Sequence, residues 1–134
     1  CYLERAMPGP WETWSHSGKR QLKLSKGYYV EERLPDLRKR MLRAFCAEQA
    51  PATPLGIAWI PPAAYDKAHF HDVDVIVVAL NKRNDDGQLE VKKAGRWVAV
   101  PYDIGEAVLI PKYVEHRVRS TTTDRITATL SLLN

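Results

Sequence analysis

The sequence predicts a mainly β fold, a sandwich or barrel of short strands carrying one helix. Three observations predict it. From residue 55 onward, short apolar or alternating segments follow one another, separated by turn-forming Pro, Gly, Asn and Asp at regular intervals. Helical periodicity is confined to one stretch before them. A hydrophobic content of 45%, with four tryptophans among 134 residues, is enough to bury a core and excludes a disordered chain.

The first 20 residues are polar, aromatic and loop-like, with Pro8, Pro10 and Gly18 breaking any pattern. Residues 21–25 alternate and read as an edge strand; residues 28–32, after Gly27, read as a second. Pro35-Asp36 then opens a helix, because proline fits a first helical turn and aspartate complements the helix N-terminus. Leu37, Met41, Leu42 and Phe45 recur at helical spacing, and Arg33, Arg38, Lys39, Arg40 and Arg43 surround them. This reads as a helix packed on a sheet with a solvated basic side. Ala50-Pro51-Ala52-Thr53-Pro54 ends it. Strands are expected over 55–60, 69–80, 88–92, 97–100, 107–110, 116–120 and 126–132. Pro61-Pro62, Asn84-Asp85-Asp86-Gly87, Ala94-Gly95 and Asp103-Ile104-Gly105 separate them. With the two earlier strands the count is about nine.

The length fits one domain over 1–134: an N-terminal extension with edge strands (1–34), a helix (35–50) and a β-barrel core (55–134). No internal repeat or low-complexity segment interrupts it. Cys1 and Cys46 are too few for a disulfide framework, so the expected compartment is a reducing cytoplasm. No apolar run reaches the roughly 18 residues of a membrane span, and no charged-then-apolar leader pattern is present. The start at Cys1 rather than Met is expected of a processed or trimmed chain. A net charge of +4 suits an anionic or polar small molecule or peptide. Nucleic acid is not the expected partner, because no base-reading pattern accompanies the basic helix. A homodimer through exposed faces is compatible with the composition.

Three of the four histidines carry the chemistry. His69 and His71 stand at i and i+2 of an expected strand and so share one face. His116 begins another strand, after Pro111, and completes a facial set of nitrogen donors. Imidazole suits divalent zinc, copper, iron or nickel. A lone strand histidine is usually structural; the pair and the third member argue for a metal. A carboxylate could complete the site. In regular strand geometry Asp72 and Asp74 face away from His71, so Asp74 joins only if the strand bulges; otherwise three histidines remain. Arg125, with Thr127 two residues on, offers a guanidinium and a hydroxyl on one face, a good holder for a carboxylate.

Over residues 55–134 the sequence resembles the double-stranded β-helix, the jelly-roll barrel of cupins and of Fe(II)/2-oxoglutarate oxygenases. His69-Phe70-His71, and Gly105 followed by Pro111 and His116, are similar to the two cupin motifs, with Tyr113 standing where that pattern has glycine. The run from Glu115-His116 to Arg125-Ile126-Thr127 resembles the oxygenases' distal histidine and the arginine and hydroxyl that hold 2-oxoglutarate. The segments 86–91 and 95–101 are similar to their intervening strands. Val73 occupies the place of the oxygenases' metal-binding aspartate.

The oxygenase resemblance implies Fe(II), or another divalent metal, held by His71, His116 and either Asp74 or His69. It also implies 2-oxoglutarate with its far carboxylate on Arg125 and Thr127, and hydroxylation of a second substrate. Trp59, Tyr65, Phe70 and Tyr113 are the expected pocket walls. The cupin resemblance implies a histidine-rich metalloprotein or dioxygenase with no 2-oxoglutarate. A non-catalytic ligand-binding barrel is the third expectation.

Overall fold

Apolar residues that fill both faces of one strand decide how this chain is layered. Residues 75–79, Val-Ile-Val-Val-Ala, are all buried. Ile76 and Val78 join one core cluster, while Val75, Val77 and Ala79 join another. A strand covered on both sides reads as an unbroken apolar run rather than an alternation.

The computed structural model describes residues 11–13, 20–22, 36–60, 65–81, 88–119 and 125–133, with backbone alone at 11–13, 20–22 and 59. Among the described residues there are ten strands: β1 (Trp11–Thr13), β2 (Arg20–Leu22), β3 (Gly56–Ile60), β4 (Asp66–His69), β5 (Val75–Ala79), β6 (Leu89–Lys93), β7 (Arg96–Val100), β8 (Ala107–Ile110), β9 (His116–Val118) and β10 (Arg125–Ser131). They form two sheets, β1-β2-β3-β10-β5-β8 and β4-β9-β6-β7, and neighbouring strands in both pair antiparallel. The expected mainly β class with one helix is what the chain adopts. The expected strand over 28–32, together with Pro35, Pro61-Pro62 and the turn at 84–87, lies outside the described residues.

The helix α1 (Leu37–Ala44) covers the outer face of the six-stranded sheet. Met41 and Leu42 are buried against Leu55, Ile57, Ile76, Val78, Ala128, Leu130 and Leu132, with Leu37 and Phe45 packed at the margin. It is shorter than the expected 35–50. Cys46 takes a left-handed φ of 54°, and the amide of Ala47 returns to the carbonyl of Leu42, so the chain turns out of the helix well before Pro51. Arg38 is not on a free basic face, since its guanidinium donates to the carbonyls of Ala52 and Thr53 and ties the helix to the following loop.

The inner face of the six-stranded sheet looks at the four-stranded sheet. Ile60, Val75, Val77, Ala79, Tyr102 and Ile110 meet Leu89 and Val118 there. The expected single strand over 69–80 is β5 preceded by a crossing, with His69 the last residue of an earlier strand that begins at Asp66. β4 ends at His69, and residues 70–74 cross to β5. Phe70, His71 and Asp72 are exposed whereas 75–79 are buried, so the change of polarity marks the crossing between layers. At the hairpin of β6 and β7, Ala94 and Gly95 have φ of 50° and 78°, the positive pair that a two-residue turn needs to match the strand twist. Among the described residues no helix is long and apolar enough to cross a membrane.

Candidate metal centre

β4 and β9 place two of the three histidines by pairing alone. His69 and His116 are direct partners across the ladder, and side chains of such a pair project side by side. On β9, His116 and Val118 turn inward and are buried. Arg117 turns outward, where Glu90 accepts from its guanidinium at 2.8 Å and the ring of Trp97 lies 4.0 Å beneath it. His71 arrives from the crossing rather than from a strand. Its carbonyl accepts from the amide of Tyr113 at 2.7 Å, which fixes the backbone that carries the imidazole.

The three rings gather closely. Centroids lie 4.2 Å apart for His69–His116, 4.9 Å for His69–His71 and 5.2 Å for His71–His116. One ring nitrogen from each lies within 4.8 Å of the others. Bonds of roughly 2.1 Å to a shared ion need donors roughly 3–3.4 Å apart, so small side-chain rotations suffice.

The donor chemistry fits a divalent metal. Nδ1 of His69 lies 2.7 Å from the Lys67 carbonyl and Nδ1 of His116 lies 3.1 Å from that of Val114. Each Nδ1–H donating there leaves Nε2 as the lone-pair nitrogen, the arrangement by which backbone carbonyls orient metal-binding imidazoles. His116 is held neutral. Burial foremost, with the neighbouring His69 and His71, lowers its pKa from 6.5 to about 4, against the opposing effects of the Val114 carbonyl and Asp66.

The histidines open onto a cavity of about 310 Å³ between the sheets, and Arg125 and Thr127 line the same cavity. Both are buried. The Arg125 guanidinium donates to the Tyr102 hydroxyl at 2.9 Å and lies 5.3 Å from that ring's centre. Burial pulls its pKa below the ordinary value, while Tyr102 and Asp66 act in the opposite direction. Apolar side chains, among them Val75, Val77, Leu89, Ile110 and Val118, form much of the remaining wall.

Asp74 lies outside the imidazole group. Its carboxylate accepts from the amide of Lys112 at 2.8 Å, so it braces the 111–114 turn against the crossing. Asp72 is exposed and also outside the group. The expected aromatic walls differ: Tyr65, Phe70 and Tyr113 are exposed and line no part of the cavity. A hydrogen-bonded turn displays Tyr113, and the polar crossing carries Phe70 outward. The Trp59 side chain lies outside the described residues. Among the described residues, the Phe, Tyr or Trp ring that does line the cavity is that of Tyr102. It was hidden because Pro101-Tyr102-Asp103 reads as a connection between strands. Asp66 was missed too. It lines the cavity with one oxygen 3.9 Å from Nδ1 of His69, yet three residues from His69 is the wrong parity for a regular strand.

No family model matches the chain, and no curated protein sequence matches it. Solved structures do. A 2OG-Fe(II) oxygenase family oxidoreductase from Burkholderia pseudomallei superposes with a TM-score of 0.68 at 14% identity, over 97% of this chain and 75% of that one. A prolyl hydroxylase from Trichoplax adhaerens, in complex with a hypoxia inducible factor oxygen degradation domain peptide fragment, gives 0.65 at 14% identity, over 98% and 74%. A cupin domain from Bordetella pertussis gives 0.50 at 20% identity, over 62% and 82%. At these identities the likeness is one of fold: the chain has the jelly-roll architecture of the oxygenases and cupins.

Proposed function

We propose that this chain is a non-haem iron oxygenase of the 2-oxoglutarate-dependent type, with Fe(II) held by His69, His71 and His116 and the far carboxylate of 2-oxoglutarate received by Arg125 and Thr127. One observation carries the reading: three imidazoles and a buried guanidinium line a single cavity of about 310 Å³, within the volume range of small-molecule sites. The jelly-roll likeness to oxygenases supports it. Iron(II) bound there would supply the oxygen chemistry that couples decarboxylation of 2-oxoglutarate to oxidation of a second substrate.

The chain's own residues prepare that chemistry. Arg125 binds a carboxylate through charge-assisted hydrogen bonds. Tyr102 orients the guanidinium by taking one of its N–H groups. The valine and leucine walls exclude water, which strengthens every charge interaction inside. The neutral state of His116 leaves its Nε2 lone pair available near pH 7. The second substrate enters as a small molecule or a peptide, and the Trichoplax adhaerens neighbour holds a peptide.

The test is succinate release from the full chain with iron, ascorbate and 2-oxoglutarate. Wild type is expected to release succinate, and Arg125→Ala to lose at least about tenfold in 2-oxoglutarate affinity with metal binding intact. No turnover by wild type, with unchanged 2-oxoglutarate affinity in Arg125→Ala, removes the reading.

A second reading is a cupin-type metalloprotein that needs no 2-oxoglutarate. The donor group favours it, being three imidazoles with no carboxylate among them. Elemental analysis of the purified chain, joined to a thermal-shift assay with 2-oxoglutarate, separates the two: metal without any shift selects the cupin.

A further inference from the structure

The ladder between β4 and β9 contains an extra residue. Asp66 pairs with Val118 and His69 pairs with His116, so three steps along β4 answer two along β9. That is a β-bulge, a device that re-aims a side chain and is common beside active sites. Without it, Asp66 and His69 would face opposite sides of the sheet. With it, both line the cavity. The Asp66 side chain is 18% exposed, and one of its oxygens stands 3.9 Å from Nδ1 of His69, on the far side of that imidazole from the nitrogen left to bind a metal.

Charge accounting gives the bulge a purpose. A divalent ion on three neutral imidazoles keeps its full double charge, and Arg125 adds another in the same cavity. Among the described residues lining the cavity, Asp66 is the sole acid. It shares that cavity with the three imidazoles and with Arg125. We propose that Asp66 is a charge-setting residue of this site: from behind His69 it supplies the negative charge that the imidazole donors lack, favouring the cation and restraining anion binding at Arg125. At 3.9 Å from Nδ1 of His69 the effect on that imidazole is electrostatic rather than a hydrogen bond. The anion half rests on the oxygenase reading above.

The proposal predicts effects of opposite sign, which a merely structural role does not produce. The full chain is freed of metal by chelation and titrated with Co(II), followed by visible absorption. The Co(II)-saturated protein is then titrated with 2-oxoglutarate. In Asp66→Asn, Co(II) affinity is expected to fall about tenfold, the lower range for residues supporting a metal-bound imidazole. Affinity for 2-oxoglutarate is expected to rise severalfold, and Asp66→Glu to restore both. Co(II) affinity within twofold of wild type in Asp66→Asn overturns the proposal, as does a fall in both affinities together. A wild-type chain that takes no Co(II) overturns the metal centre and this inference with it. One that takes Co(II) but no 2-oxoglutarate overturns the oxygenase reading, and the Co(II) ratio then decides on Asp66 alone.

Discussion

His116 contributes to how the metal-free chain responds to acid. Its pKa of about 4 lies below the 6.5 of an unfolded histidine because burial disfavours the imidazolium. Between those values the unfolded chain holds the proton and the folded chain does not. Stability therefore rises with pH through the window, is fully present above about 6.5 and is lost as pH falls towards 4. The contribution is at most roughly 3 kcal/mol. Urea denaturation of the chelator-treated chain at pH 7 and pH 4.5 measures it. His116→Asn is expected to remove the part of the pH slope owed to this group, and equal slopes in the two proteins would discard the assignment. At this scale the sequence was partly legible. Histidine is rare and chemically distinct, and Arg125 with Thr127 follows a two-residue spacing that a strand preserves, so these residues could be singled out. Asp66 and Tyr102 could not. One reaches the cavity only because a bulge shifts its parity, and the other lies in a connection whose path depends on the sheets around it.

Among the elements, the turn at 111–114 carries strain. Tyr113 has a φ of 65°, in the left-handed region that favours glycine. A non-glycine residue there costs roughly 1–2 kcal/mol. The turn nevertheless closes through the Val114 amide to the Pro111 carbonyl, and its Lys112 and Tyr113 amides donate to Asp74 and His71. Tyr113 is exposed, so little packing is lost on its removal. Tyr113→Gly is expected to stabilise the chain by about 0.5–1 kcal/mol in urea denaturation, the strain relief exceeding glycine's entropy cost; a destabilised variant would mean that the ring contributes more than the backbone loses. Most strands were legible from apolar segments and turn residues, since both act locally; β1 and residues 66–68 of β4, which lack an apolar run, were not. Boundaries were less legible. The 69–80 run divides between two sheets, and the helix stops at Ala44, because left-handed geometry at Cys46 and the demand of each sheet for its own residues are settled by packing.

At the scale of the whole molecule, the two sheets meet face to face around the cavity while α1 seals the opposite side of the larger sheet. The strand order β1-β2-β3-β10-β5-β8 brings the end of the chain between β3 and β5. No local pattern encodes such distant neighbours; only the family resemblance made the jelly roll legible. Because the imidazoles come from β4, the crossing and β9, an ion bound to them favours the folded chain over the unfolded one. At a hundredfold excess over its dissociation constant, Co(II) or Zn(II) is expected to add about 2.7 kcal/mol. The melting temperature then rises by several degrees and returns on chelation. An unchanged melting temperature at saturating metal would remove the centre.

The bracing of the crossing by the 111–114 turn separates His71 from the other two imidazoles in how each is held. His69 and His116 are fastened to paired strands, whereas His71 rides a polar bridge held by the amides of Lys112 and Tyr113. An ion held by all three would be expected to part from His71 first, leaving two nitrogens on paired strands. Substitutions in that surface loop would then be expected to change how fast an ion exchanges while leaving the interior packing alone.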